Sequence, residues 1–320
     1  MSGTPAYTVR RISAVPAAAL TCVKSPNGDM CCSLTARSKR EARMFKDLLV
    51  HIPTERSPRP VIDASVSLAM SAGAHLDALA TGYASTNVPF VAEGGAAIAA
   101  SLQVEYERAL ERAQAALRIF EIEAKNARID YGTYALSETP AEIVSKAGAA
   151  ARLYDLTIVS QGDPDCDTFD NQLPKELLLQ SGGPLLFIPY TFRGTFKAAR
   201  VGICWDGSRL AARALRDAMP FIIRADALTT ITLNASEVPS DASPEHLLRH
   251  LARKGLPAKT VSLQSDRSNL QASILSIAAD EGLDLLVMGG YGHSRFQEAV
   301  FGGVTQETFR SMTVPVMMSH

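Results

Sequence analysis

The segment Leu285-Leu-Val-Met-Gly-Gly-Tyr-Gly292 is followed by nine residues, His293 to Phe301, and then by Gly302-Gly-Val-Thr305. The apolar run before the first glycine predicts a buried strand, and the residues from Thr305 to Ser311 predict a short helix. Glycines at a strand end let a phosphate approach the backbone closely, and a helix N-terminus favours an anion. The segment therefore predicts a strand, a phosphate-binding loop and a helix, which is a unit of an α/β fold.

Strands and helices alternate on both sides of this loop. The residues from Arg200 onward predict strands at 200–205, 228–233, 259–263, 283–288 and 314–318, and helices at 209–223, 244–254, 269–281 and 305–311. Such alternation is typical of a parallel sheet covered by helices on both faces. We therefore expect a doubly wound, five-stranded, mostly parallel sheet.

The first half of the chain repeats this order. Asp155-Leu-Thr-Ile-Val corresponds to Asp284-Leu-Leu-Val-Met, and Pro184-Leu-Leu-Phe-Ile-Pro corresponds to Pro315-Val-Met-Met. A longer helix is expected from about Ala96 to Asn126. The repeat predicts two tandem domains of the same fold class, at residues 44–192 and 197–320, with a linker near 190–199.

Residues 1–43 differ from the rest because they show no sustained helical or strand period and are rich in basic residues. Three interpretations compete: a disordered tail, a basic targeting peptide, and a mis-assigned start with translation beginning at Met44. The last is favoured because a buried strand, Phe45 to Ile52, follows Met44 directly.

Net charge, hydropathy and cysteine content argue against nucleic-acid binding, membrane insertion and a disulfide-bonded fold. The formal net charge is −1 and the pI is about 6.6, which does not favour binding to nucleic acid or to an acidic membrane. No apolar run is long enough to span a bilayer. The five cysteines do not form a disulfide pattern, so we expect a reducing, cytoplasmic location.

The glycine spacing resembles the ATP-binding signature of the universal stress protein family: Gly, two residues, Gly, nine residues, Gly, then Ser or Thr. The resemblance covers residues 44–320 as two such domains in tandem. It implies that ATP, with or without Mg²⁺, binds the C-terminal domain through a set of residues matched by position, namely Asp206, Gly289, Gly292, His293, Gly302, Gly303, Val304 and Thr305. Asp206 matches the family's acidic contact to the base or ribose, and Thr305 matches a hydroxyl that touches phosphate.

Gly303 departs from the signature, because the family has Ser or Thr there. One lost neutral hydrogen bond is worth roughly 0.5–1.5 kcal/mol, or about tenfold in affinity. His293 and Arg295 could compensate with positive charge. Asp206 and Ser208 could also cap the following helix, and both roles are compatible. Trp205 could stack on a base or obstruct the pocket.

The first half lacks these features. Ser160 to Asp163 stand opposite Gly289 to Gly292, and three aspartates, Asp163, Asp165 and Asp167, add charge that repels an anion. We interpret this half as degenerate, with a structural or partner-binding role.

Other candidate residues favour ordinary roles. His246 and His250 are most simply a solvated helix face, and Cys204 a small core residue. The resemblance implies a stress-response protein that binds ATP and at most hydrolyses it weakly. The alternatives are a scaffold that acts through protein contacts and, more weakly, an adenylating enzyme. The resemblance also implies an intramolecular pseudo-dimer through Val314–Met318 and Leu185–Pro189, and further homodimerisation is an open alternative.

Overall fold

The computed structural model describes residues 23–24, 30–31, 45–83, 95–162, 168–290 and 312–320. The chain divides into two compact units, Met1–Arg43 and Met44–His320. In the first unit, strand β1 (Val23–Lys24) pairs antiparallel with β2 (Met30–Cys31). The second unit contains the sheet and the candidate site.

The second unit is built on a 10-stranded sheet. Its strands are β3 (Asp47–Ile52), β4 (His75–Tyr83), β5 (Tyr131–Glu138), β6 (Leu156–Ser160), β7 (Leu185–Ile188), β8 (Arg200–Cys204), β9 (Ala227–Leu233), β10 (Lys259–Leu263), β11 (Leu285–Gly289) and β12 (Val316–Ser319). The strand order is β10-β9-β8-β11-β12-β7-β6-β3-β4-β5. Neighbours are parallel except at the centre, where β12 and β7 are antiparallel and Met317 lies opposite Leu186.

Helices connect the parallel strands. They are α1 (Arg59–Ala72), α2 (Gly95–Ala127), α3 (Pro140–Ala151), α4 (Phe169–Gln180), α5 (Arg209–Asp217), α6 (Met219–Ile222), α7 (Pro244–Arg253) and α8 (Leu270–Asp280). The prediction of one continuous helix at 209–223 is wrong, because the segment is divided at Ala218 into α5 and α6. Pro220 explains the break, since proline has no N–H to donate and its ring clashes with the carbonyl four residues earlier.

Both faces of the sheet are covered by apolar layers. One layer contains Phe120 of α2, Leu215 of α5 and Leu251 of α7. The opposite layer contains Ile143 of α3 and Ile277 of α8. Each layer runs across both halves of the sheet. The predicted α/β class, with two five-stranded parallel halves covered on both faces, is confirmed.

The two halves repeat the same contact at the start of their sheets. Asp155 Oδ2 accepts hydrogen bonds from the backbone N–H groups of Lys46 (2.7 Å) and Asp47 (3.1 Å). In the second half, the Asp284 carboxylate accepts from Ala199 (3.1 Å) and Arg200 (2.9 Å). This contact aligns β3 with β8 residue by residue, with Asp47 equivalent to Arg200.

The antiparallel pair β7–β12 gives the halves opposite directions. The strands of the second half therefore end at one edge of the sheet, and those of the first half end at the other. Because ligands of doubly wound sheets bind beyond the carboxyl ends of the strands, each half has its own candidate edge.

Candidate functional site

The candidate site lies where β8 and β11 end side by side. These strands are parallel neighbours, with Val287 of β11 opposite Ile203 of β8. Asp206 follows β8, and Gly289 is the last residue of β11. The structure therefore brings two of the predicted site residues to the same edge of the sheet.

Asp206 is exposed and is held by local hydrogen bonds. Its Oδ1 atom accepts from the backbone N–H of Ser208 at 2.9 Å. Ser208, rather than Asp206, is the N-cap of α5, because its Oγ accepts from the backbone N–H of Ala211 at 3.1 Å. The Asp206 carboxylate is therefore fixed in orientation and still faces solvent.

Gly289 lies against the start of α5. A Cβ atom at this position would come within 2.8 Å of Ala211 N and of two atoms of Leu210. Contacts this short involve backbone and require the helix to move. Glycine at this position is therefore required by helix packing, whatever it contributes to a ligand.

The remaining predicted residues fall outside the part of the chain that the structure describes. They are Gly292, His293, Gly302, Gly303, Val304 and Thr305. Their assignment as phosphate-loop residues stays a prediction from the sequence.

Trp205 is held in place by the loop that follows β9. Its Nε1 donates to the carbonyl oxygen of Ala242 at 2.7 Å, and its half-buried ring packs on an apolar layer of the sheet. The same loop covers Gly207, which has φ +72° and lies near Val238. Of the two roles considered for Trp205, base stacking and obstruction, neither is needed to explain its position, because it anchors this loop.

Two features of this edge had not been predicted. Asn234, at the end of β9, adopts φ 51°, and its side chain bonds the backbone of Ser265 through both amide atoms, at 3.0 and 2.9 Å. His320 ends the chain with Nδ1 3.1 Å from the carbonyl oxygen of Gly290. A strand-terminal asparagine was a usable signal for the first, since asparagine tolerates the left-handed region. The position of His320 could have been inferred from β12, because a strand parallel to β11 ends beside the end of β11.

Hydrogen bonds between side chains and backbone join the described residues at the equivalent edge of the first half. The Asp170 carboxylate accepts hydrogen bonds from the backbone N–H groups of Thr54 and Glu55, each at 2.8 Å. The Arg56 guanidinium bonds carbonyl oxygens of Ser160 (3.3 Å) and Asp170 (3.1 Å). These contacts tie the residues that follow β3 to the end of β6 and to the first turn of α4.

The histidine pair and the cysteine have ordinary environments. His246 Nδ1 lies 3.1 Å from the carbonyl oxygen of Ser240, near the start of α7. Burial raises the pKa of Cys204 to about 12, with the nearby Asp206 adding to the shift, so the thiol stays protonated. Within the described ranges, no group of three His, Cys, Asp or Glu side chains is placed to hold a metal ion. The same ranges contain no helix with the length and apolarity needed to cross a bilayer.

Residues 198–320 match the model of the Universal stress protein family. They form a universal stress protein domain. A universal stress protein of Synechocystis is 26% identical over 138 residues, which are 42% of this chain and 46% of that protein. The match therefore spans about half the length of the curated relative.

Solved structures extend the likeness of fold beyond the universal stress protein domain. A universal stress protein from Archaeoglobus fulgidus is similar with a TM-score of 0.63 at 15% identity, over 85% of this chain and 97% of that chain. A putative universal stress protein from Pseudomonas aeruginosa has a TM-score of 0.53 at 15% identity, over 88% and 94% of the two chains. These matches include most of the first half, so the fold of the family is present in both halves.

Proposed function

We propose that the chain is a stress-response protein that binds ATP at the carboxyl edge of its second half. One observation carries this proposal. An exposed carboxylate, Asp206, and the first glycine of the loop, Gly289, stand at the ends of adjacent parallel strands in a universal stress protein domain. This is the position at which doubly wound sheets bind nucleotides.

Each part of the edge has a separate role in the proposal. Asp206 receives the ribose or base through its exposed carboxylate. The loop from Gly289 to Thr305 surrounds the phosphates, with backbone N–H groups as donors and His293 adding positive charge. Mg²⁺, where present, would be held chiefly by phosphate oxygens, as is usual for this ion.

Gly303 sets the expected strength of binding. Gly303→Ser supplies the hydroxyl of the family signature and should add one hydrogen bond to ATP, worth about 0.5–1.5 kcal/mol. The dissociation constant for ATP should then fall by up to about tenfold. An unchanged or weaker affinity would count against this loop as the phosphate site.

The direct test is calorimetric titration of the folded protein with ATP. Asp206→Asn keeps the oxygen that accepts the Ser208 N–H and removes the charge, so the turn should persist. Loss of a charged hydrogen bond, about 1.5–3 kcal/mol, predicts affinity lower by about ten- to a hundredfold. Asp226→Asn, an exposed aspartate at the opposite end of the neighbouring strand β9, is the matched control.

The proposal extends to the domain organisation of the chain and to its location in the cell. We infer two domains, at 44–192 and 197–320, that form a pseudo-dimer inside one chain and act in the cytoplasm. The antiparallel pairing of β7 with β12 supports the pseudo-dimer. We also infer that ATP is retained rather than turned over. Steady release of phosphate at a rate comparable with metabolic enzymes would contradict this.

Gly303 favours a second candidate function. A loop without the hydroxyl of the signature fits a protein that has lost its nucleotide and acts through protein contacts. Absence of heat on titration with millimolar ATP, in a sample that unfolds cooperatively, would support this scaffold over the ATP-binding protein.

A further inference from the structure

The carboxyl edge of the first half contains a carboxylate in an anion-binding arrangement. Asp170 is in the first turn of α4, and its Oδ2 accepts the N–H groups of Thr54 and Glu55, both at 2.8 Å. These two N–H groups follow β3 and point to one oxygen. Two adjacent backbone donors with a helix N-terminus beside them are a common way of holding an oxyanion.

A cation lies on the same group of atoms. Arg56 donates to the carbonyl oxygens of Gln161, Ser160 and Asp170, and to Asn171 Oδ1 at 3.0 Å. It therefore joins the end of β6 to the first turn of α4. The carboxylate and the guanidinium together close the space between the two strand ends and the helix.

The two halves can be compared position by position at this edge. The repeated aspartate contact aligns Asp47 with Arg200, which places Pro53 where the second half has Asp206. Asn171 corresponds to Gly302, because each lies 13 residues before the proline of its closing strand, Pro184 or Pro315. Asp170 thus stands beside the position of a signature glycine, where the second half is expected to receive phosphate.

The arrangement is enclosed and polar. Asp170 and Gln161 are both 0% exposed. Asp170 Oδ1 and Gln161 Nε2 are buried without a hydrogen-bond partner among the described residues. Burial raises the pKa of Asp170, although the two backbone N–H groups and Arg56 act in the opposite direction. The carboxylate is thus kept without exposed surface.

We propose that the Asp170 carboxylate is an internal anion that occupies the anion site of the first half and closes it, and that its removal opens a site for a small external carboxylate. The site would take formate, which has the size of the group removed by Asp170→Ala. This inference concerns the first half only and does not depend on nucleotide binding in the second.

The test is chemical rescue of thermal stability. The Tm of Asp170→Ala is measured in sodium formate and in sodium chloride at the same concentration, about 0.5 M. A weak site with a Kd of about 0.1 M predicts a Tm higher by about 2–4 °C in formate. The wild-type protein, in which the site is filled, should show no such difference.

Two further variants make the result specific. Asp170→Asn retains the side-chain volume and an oxygen acceptor, so it should fold and should not respond to formate. Asp155→Ala also removes a carboxylate that accepts two backbone N–H groups, but Asp155 is exposed, so it should not respond either. If Asp170→Ala is unfolded in chloride, recovery of the native circular dichroism spectrum in formate alone is the supporting result.

Equal responses of all variants would overturn the proposal, because they would show a general salt effect. It would also be overturned by an Asp170→Ala protein that is equally stable, or equally unfolded, in both salts. Either result would make Asp170 an ordinary helix-terminal carboxylate.

Discussion

Replacing His75 with glutamine tests an ionic cluster at the amino end of β4. His75 Nε2 lies 3.0 Å from Asp77 Oδ1, and Nδ1 lies 2.9 Å from Asp130 Oδ2. The second oxygen of Asp77 accepts hydrogen bonds from Tyr134 (2.7 Å) and Tyr154 (2.6 Å). The imidazolium therefore stands between two carboxylates, and it stabilises the folded chain only while it is charged.

The magnitude follows from the pKa of His75. The hydrogen bond to Asp77, the largest cause, helped by that to Asp130, raises this pKa from 6.5 to about 9, although burial opposes the shift. The full difference would correspond to roughly 3 kcal/mol. The His75 side chain is 31% exposed, so solvent screening reduces this to about 1–2 kcal/mol.

The direction of the pH dependence follows from the pKa of His75, which is higher in the folded chain than in the unfolded chain. The contribution is fully present below pH 6.5 and is lost as the pH rises through about 9. The assay is urea unfolding followed by circular dichroism between pH 5.5 and about 9.5, below the ordinary titration of tyrosine. The free energy of unfolding of wild type minus that of His75→Gln should fall by about 1–2 kcal/mol across this range.

His250→Gln, which makes the same substitution at an exposed histidine on α7, is the control for the change of side chain itself. A wild-type minus His75→Gln difference that is constant from pH 6 to 9, or that increases with pH, would refute the reasoning.

Three other perturbations address packing. Gly289→Ala should lower the free energy of unfolding by about 1–3 kcal/mol, because the new Cβ meets helix backbone. Gly290→Ala should cost less, because its Cβ meets chiefly a flexible leucine side chain. Equal losses of unfolding free energy, measured in urea, would contradict this. Gly132→Ala should weaken the pH dependence attributed to His75, since its Cβ would lie 2.1 Å from Asp77 Oδ1 and displace it while the Asp130 contact remains; an unaltered pH profile would be the contrary result. Trp205→Phe should lower stability by about 0.5–1.5 kcal/mol through the lost hydrogen bond and leave ATP affinity within about threefold, as measured by unfolding and calorimetry; a large loss of affinity would instead assign the indole to the nucleotide.

The strand and helix order could be predicted because periodicity and apolar runs are local properties. The long helix expected from about Ala96 to Asn126 is present as Gly95–Ala127. The break at Ala218 was missed because the apolar pattern continues through Pro220, and the pattern alone does not register the missing N–H of proline.

The site could be predicted only in part. Asp206 and Gly289 reach the same edge because parallel strands end together, which the strand order implies. The packing role of Gly289 depends on how closely α5 approaches β11, which no local pattern reports. The Arg56–Asp170 contact joins residues more than a hundred positions apart, and the sequence contains no rule that pairs them.

The number of ATP molecules bound per chain tests the central claim most directly. Calorimetric titration of the whole chain should give a stoichiometry of one, because Asp206 is exposed beyond β8 in the second half, whereas Asp170 and Arg56 bond the backbone at the equivalent edge of the first half. A stoichiometry of two, or no binding at millimolar ATP, would contradict the account.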